Sequence, residues 1–200
     1  SVMRGKPVYD LMRTELMAGQ YLDLLEQARG GGSAERAMRV VRFKSAKYTI
    51  ERPLHLGAEL ADASPELVVS YSGYGLPLGE AFQLRDDVLG VFGDPKETGK
   101  PAGDDLREGK RTVLVATAAE AASPAEAAVL RRRLGDPALD PEGIDELREI
   151  IVSTGALRHV ECLIESLTEQ CFQALDAAPV ADDAREVLRG LAVAATSRSV

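Results

Sequence analysis

At Ser64-Pro65, Ser123-Pro124 and Asp140-Pro141 a residue that caps helices is followed at once by proline, just ahead of an apolar run at helical spacing. A Ser or Asp side chain accepts from the unpaired amides of a first helical turn, and proline suits that turn because its missing N–H has no partner there anyway. These pairs cut the sequence into helical lengths. Between them apolar residues recur at helical spacing, and no segment alternates with period two for long enough to make a strand. A first helix is expected from about Val8 to Ala28, ended by Arg29-Gly30-Gly31-Gly32. Ser33 caps a second, carrying Val40, Val41, Phe43, Ala46, Ile50, Leu54 and Leu60, with a kink predicted at Pro53. The third runs from Pro65 through Phe82 to Leu89. Gly93 to Gly109 holds four glycines and two prolines and reads as a loop, long enough to suggest a functional role. Further helices are expected at about Thr112 to Ala122, Pro124 to Leu134, Pro141 to Ser153, Ala156 to Leu175 and Asp182 to Ala195. The expected fold class is all-α, one domain over residues 1–200, with no linker composition marking an internal boundary.

Composition supports that reading and excludes several functions. Aromatic residues are 4% of the chain and Trp is absent, while Ala and Leu abound, which favours helix over sheet. No apolar run approaches the roughly 20 residues of a membrane span, and no leading stretch reads as a secretory signal. The net charge of −8 argues against nucleic acid as a partner, since duplex binding needs a basic face. It also repels anionic ligands unless a metal cation stands between. Cys162 and Cys171 lie nine positions apart in one expected helix, on opposite faces and about 13 Å apart along the axis, so they cannot pair. A chain with no cysteine framework suits a reducing, cytoplasmic setting. His55 and His159 are lone helical histidines, read as ordinary core or surface residues, and no Cys/His cluster has zinc spacing. Ser153 and Thr154 have no histidine partner nearby, and the helices from Thr117 onward read as scaffold.

The chemistry concentrates in Phe82-Gln83-Leu84-Arg85-Asp86-Asp87 and the loop beyond that helix. On a helix Gln83 lies three residues before Asp86 and four before Asp87, so the three can share one side. Adjacent carboxylates among Phe82, Leu84, Val88 and Leu89 repel each other unless a cation joins them. Oxygen ligands of this kind suit Mg²⁺, which typically takes one or two carboxylates and completes its shell with water and phosphate oxygens. Asp94, two turns on, is a further candidate ligand. The loop brings Lys100, Asp104, Asp105, Arg107, Lys110 and Arg111, and ammonium groups beside a magnesium carboxylate pair suit a diphosphate. An Asp-Asp pair alone is more often a solvated surface feature; the apolar surround and the basic loop raise its weight.

Four blocks in order carry a resemblance. Glu15-Leu16-Met17-Ala18-Gly19-Gln20-x-x-Asp23, Phe43-Lys44-Ser45-Ala46-x-Tyr48, Phe82-Gln83-x-x-Asp86-Asp87, and Gly99-Lys100-Pro101-x-Gly103-x-Asp105 with Gly109-Lys110-Arg111-Thr112 resemble the trans-isoprenyl diphosphate synthases. The resemblance implies a helical bundle of the isoprenoid synthase type, incomplete at its N-terminal side, with 93–110 as a basic, glycine-rich active-site loop. It implies a magnesium-dependent prenyltransferase that condenses isopentenyl diphosphate with an allylic diphosphate, acting as a homodimer. By the same resemblance Asp86 and Asp87 ligate magnesium, with Asp94 as a further candidate. Lys44, Lys100 and Lys110 hold the diphosphate, Ser45 and Gln83 stand near the developing allylic cation, and Gln20 and Asp23 line the cavity.

Three departures accompany it. The family's third aspartate is Gly90 here, and its Thr is Ser45, which keeps the hydroxyl. The first aspartate-rich motif and the Arg-Lys segment that holds isopentenyl diphosphate do not occur in these residues, so Ser1 is expected to fall mid-domain and the 200-residue piece alone is expected to be inactive. Two alternatives stay open: a non-catalytic fragment or subunit of such an enzyme, and a terpene cyclase built on a similar aspartate helix.

Overall fold

Helices begin where the cap-proline pairs put them. The structure, a computed structural model, describes residues 5–29, 32–95, 99, 101 and 103–197. In chain order the helices are α1 (Lys6–Arg29), α2 (Ala34–Val40), a π-helix (Val41–Glu51), α3 (Arg52–Leu60), α4 (Pro65–Phe92), the single turn α5 (Asp104–Arg107), α6 (Val113–Ala121), α7 (Pro124–Arg133), α8 (Pro141–Ser153), α9 (Ala156–Ala177) and α10 (Asp182–Thr196). Among the described residues no strand occurs, so the all-α expectation holds. Ser64 Oγ accepts from Leu67 N at 3.3 Å at the head of α4. Ser123 and Glu126 form a reciprocal capping box at α7, and Asp140 Oδ1 accepts from Gly143 N at 2.8 Å at α8. No helix among these residues is long and apolar enough to cross a membrane.

The segment after Ser33 departs from the expected kinked α-helix. Residues 41–51 widen into a π-helix, closed where Arg52 N–H donates to Lys47 O, five residues back. Pro53 lies in the first turn of α3, within one unbroken helical run and directly after the π-helix, so the donor it lacks falls where the helix type changes. The loop over 93–110 also contains structure, the turn α5, with Gly103 as its left-handed N-cap.

The contacts gather into two compact units. Among the described residues one holds 5–22, 39–83 and 163–197, hence most of α1, the π-helix, α3, the first two-thirds of α4, the last two-thirds of α9 and α10. Its core is Tyr74, Leu78, Cys171, Leu175 and Ala192, flanked by Ile50, Leu54 and Leu188. The Tyr74 hydroxyl donates to Leu188 O at 2.8 Å, and burial pushes the Cys171 thiol up to about 12. Cys162 and Cys171 are both free thiols, one exposed and one buried on α9. The other unit holds the described residues within 23–38 and 84–162. There α6 and α7 pack on α8, burying Leu114, Leu130, Leu147 and Ile151.

Candidate active site

In the first unit the expected site residues gather on and around the π-helix. Lys44 and Ser45 lie on it, both half-buried, and the next residue, Ala46, is fully buried. A helix of this type is rare beyond a single turn and tends to occur at functional sites, so eleven residues of it at this position are informative. Gly19 of α1 presses on the Lys44 backbone, and Gly79 of α4 presses on Ala46. Gln20, the neighbour of Gly19, is exposed on α1, and Gln83, one turn beyond Gly79, is half-buried on α4.

Buried charges bind these elements together. Glu15 of α1 accepts from Arg52 at 2.6 and 2.8 Å and pairs with Lys47 at 3.0 Å. Burial alone would raise the Glu15 carboxyl, but the hydrogen bonds from Arg52 and Lys47 outweigh it and hold the pKa below its ordinary value. Glu80, buried on α4, accepts from Arg42 of the π-helix at 2.6 Å. His55 is a core histidine with both ring nitrogens engaged: Nδ1 to Arg52 Nη1 and Nε2 to Ser72 Oγ, each at 2.9 Å. His159 is exposed on α9.

In the second unit the carboxylates separate by environment. Asp86 is exposed, whereas Asp87, the next residue of α4, is buried with 7% of its surface accessible. Asp94 is exposed just past the end of α4, and Asp23 is half-buried on α1, accepting from Gln27 Nε2 at 3.3 Å. Among the described residues no group of three or more His, Cys, Asp or Glu converges as a ready-made metal cage. The donors on offer are carboxylate oxygens, a set that fits a magnesium ion completed by phosphate and water rather than by protein alone. Lys100 lies outside the described residues. Lys110 is half-buried and pairs with Asp105 and, at 3.3 Å, with Glu108. Burial works against its charge, yet the hydrogen bond and attraction from Asp105, then Glu108, prevail, so the ammonium is held firmly protonated.

Several residues that shape the site carry no role in a motif-based reading. Arg148 of α8 donates twice to Val91 O, at 2.8 and 2.6 Å, and its guanidinium lies 5.9 Å from the Phe92 ring centre. It thereby satisfies a carbonyl in the last turn of α4, just ahead of Asp94. Arg85 and Glu161 form a two-bonded ion pair at 2.6 and 2.7 Å between α4 and α9. Gly109, at φ +71°, brings the backbone before Lys110 within 2.8 Å of Gly135 Cα, measured from where a Cβ would stand, a place for glycine alone. The sequence signal for Gly19 and Gly79 was available: glycine inside a helical pattern costs stability and usually has a packing reason.

Comparison with known proteins places this arrangement. Geranylfarnesyl diphosphate synthase of Aeropyrum pernix is 34% identical over 178 residues, covering 87% of this chain and 54% of that protein. Geranylgeranyl diphosphate synthase of Saccharolobus solfataricus is 31% identical over 168 residues, 84% of this chain and 50% of that one. A crystal structure of geranylgeranyl pyrophosphate synthase from Corynebacterium glutamicum, complexed with isoprenyl diphosphate and magnesium, superposes with a TM-score of 0.94 at 48% identity. It covers 99% of this chain and 56% of its own. The chain thus spans about half the length of the relatives it matches. The Polyprenyl synthetase family model matches residues 7–151, which takes in α1, the π-helix, all of α4 and the loop beyond it, and on that match the chain belongs to the polyprenyl synthetase family of trans-prenyl diphosphate synthases.

Proposed function

We propose that this chain serves head-to-tail condensation of isopentenyl diphosphate with an allylic diphosphate, in the presence of magnesium, to give a longer trans-isoprenyl diphosphate. The observation that carries the reading is the pairing on α4 of an exposed Asp86 with a buried Asp87, inside the block that resembles the family's second aspartate-rich motif. The solved relative from Corynebacterium glutamicum, which binds isoprenyl diphosphate and magnesium, supports it.

Asp86 and Asp87 would hold the metal, whose chemistry is to neutralise charge on the departing diphosphate. By the family resemblance Lys44, Lys100 and Lys110 are the ammonium donors for that anion, preorganised charge being the largest catalytic effect of this kind. Lys110 reaches a diphosphate by exchanging part of its bonding to Asp105 and Glu108. Ser45 and Gln83 supply uncharged dipoles for the allylic cation, and apolar walls keep water from it. The allylic carbon–oxygen bond breaks with its electron pair on the diphosphate, the π-electrons of isopentenyl diphosphate form the new carbon–carbon bond, and the proton lost as the double bond reforms is taken up by the released diphosphate.

A second reading, in which these 200 residues bind the diphosphate without turning it over, is favoured by their spanning about half the length of the relatives they match. Incubation with isopentenyl diphosphate and an allylic diphosphate under magnesium, with product analysis, separates the readings. A longer linear diphosphate supports the synthase; binding without product supports the second; a cyclic hydrocarbon from the allylic substrate alone would make it a cyclase. In a complete, active enzyme Asp86→Ala is expected to lower turnover on the order of 100-fold or more, the scale of losing one electrostatic stabiliser. Unchanged turnover at saturating magnesium removes Asp86 from this role.

A further inference from the structure

The π-helix is gripped by backbone contacts that leave no room for a methyl group. On α1, a Cβ added to Gly19 would lie 2.5 Å from Lys44 N and 2.7 Å from the Phe43 carbonyl carbon. On α4, a Cβ on Gly79 would lie 2.5 Å from Ala46 Cα and 2.9 Å from its oxygen. Both glycines are buried, and the atoms they meet are backbone, which cannot swing aside. Each contact has an ion pair beside it: Glu15 with Lys47 and Arg52 on the α1 side, Glu80 with Arg42 on the α4 side. Gly75 makes a looser approach one turn earlier on α4, at 3.1 Å from Glu51 Cα.

π-Helical hydrogen bonding is seldom stable beyond one turn, so eleven residues of it need support from outside. That support converges on residues 43–46. We propose that Gly19 and Gly79 are positioning residues, which set where Lys44 and Ser45 stand by holding the π-helix backbone between two other helices. The consequence for ligand binding rests on the proposed role of Lys44 as a diphosphate ligand.

The test uses the 200-residue chain with inorganic pyrophosphate and magnesium as the probe. Gly19→Ala and Gly79→Ala are expected to speed amide hydrogen exchange over residues 41–51 while leaving α8 protected, which general loosening would not do. Calorimetric pyrophosphate affinity is expected to fall on the order of 10- to 100-fold, the scale of a displacement near 1 Å. In a Lys44→Ala background Gly79→Ala should cost nothing further, because the group it positions is gone. Gly75→Ala should act in the same direction more weakly, and it carries the test if the tighter variants do not fold. Gly57→Ala, with nothing within 4 Å, should change none of these readings. Unaltered exchange over 41–51 together with unaltered affinity overturns the proposal. Failure of the unsubstituted chain to bind magnesium pyrophosphate counts against the diphosphate reading, and exchange over 41–51 then decides alone whether the two glycines hold the segment.

Discussion

Gly90 stands where the family motif carries its third aspartate, and by sequence alone it looks like a missing ligand. The structure gives it a steric reason. A side chain at 90 would collide with the carboxylate of Asp105, which leans on α4 at that point and pairs with Lys110. The motif comparison cannot show this, because the neighbour arrives from fifteen residues further along. Gly90→Ala is therefore expected to destabilise by about 1–3 kcal/mol through overpacking, although alanine is the better helix former. Gly190→Ala, on α10 with open space around it, is expected to stabilise by about 0.5–1 kcal/mol. Urea unfolding of the two variants checks the contrast; a Gly90→Ala chain as stable as the parent would mean that Asp105 moves aside freely.

At the scale of elements, what was legible was local chemistry. The starts of α4, α7 and α8 follow from Ser64, Ser123 and Asp140 with the prolines behind them, since capping involves only neighbours in sequence. The π-helix was not legible, because the contacts that select the wider form come from Gly19 and Gly79 on other elements. The same holds for the charged cluster of Glu15, Lys47, Glu51, Arg52 and His55, whose members look like surface charge in one dimension. Its behaviour with pH is set by the bonding. A guanidinium only donates, so His55 Nδ1 accepts from Arg52 and the ring is neutral, its Nε2–H turned to Ser72. Burial lowers the His55 pKa below its ordinary value of 6.5, Glu51 pulls the other way, and Arg52 and Lys47 lower it again. Below 6.5 the unfolded chain therefore binds the proton first, and stability is full above that pH and lost as pH falls through the folded value. The Glu15 carboxyl, held below 4.5, adds a second loss at lower pH. Denaturant unfolding between pH 7.5 and 5 should show a decline that His55→Gln largely abolishes; an equal decline in that variant would assign the effect elsewhere.

For the whole molecule, the order of helices and the all-α class are readable from the sequence, but the division into two compact units is not. Its boundaries, after Leu22, Met38, Gln83 and Cys162, fall inside α1, α2, α4 and α9, where no glycine, proline or change of composition marks them. Net charge, by contrast, is a whole-chain property that the sequence states outright, and it constrains function directly. A chain at −8 opposes a free pyrophosphate through its overall field, while a magnesium–pyrophosphate complex meets carboxylates and ammonium groups with its charge largely compensated. Ligand and metal should therefore act only together. With magnesium present, pyrophosphate at about 100 times its dissociation constant should stabilise the folded chain by about 2.7 kcal/mol. Pyrophosphate in EDTA, or magnesium alone, should shift the melting temperature far less, and Asp86→Ala should lose most of the joint effect. An equal shift with EDTA present would mean that the ammonium groups bind the anion unaided, and that Asp86 and Asp87 hold no metal.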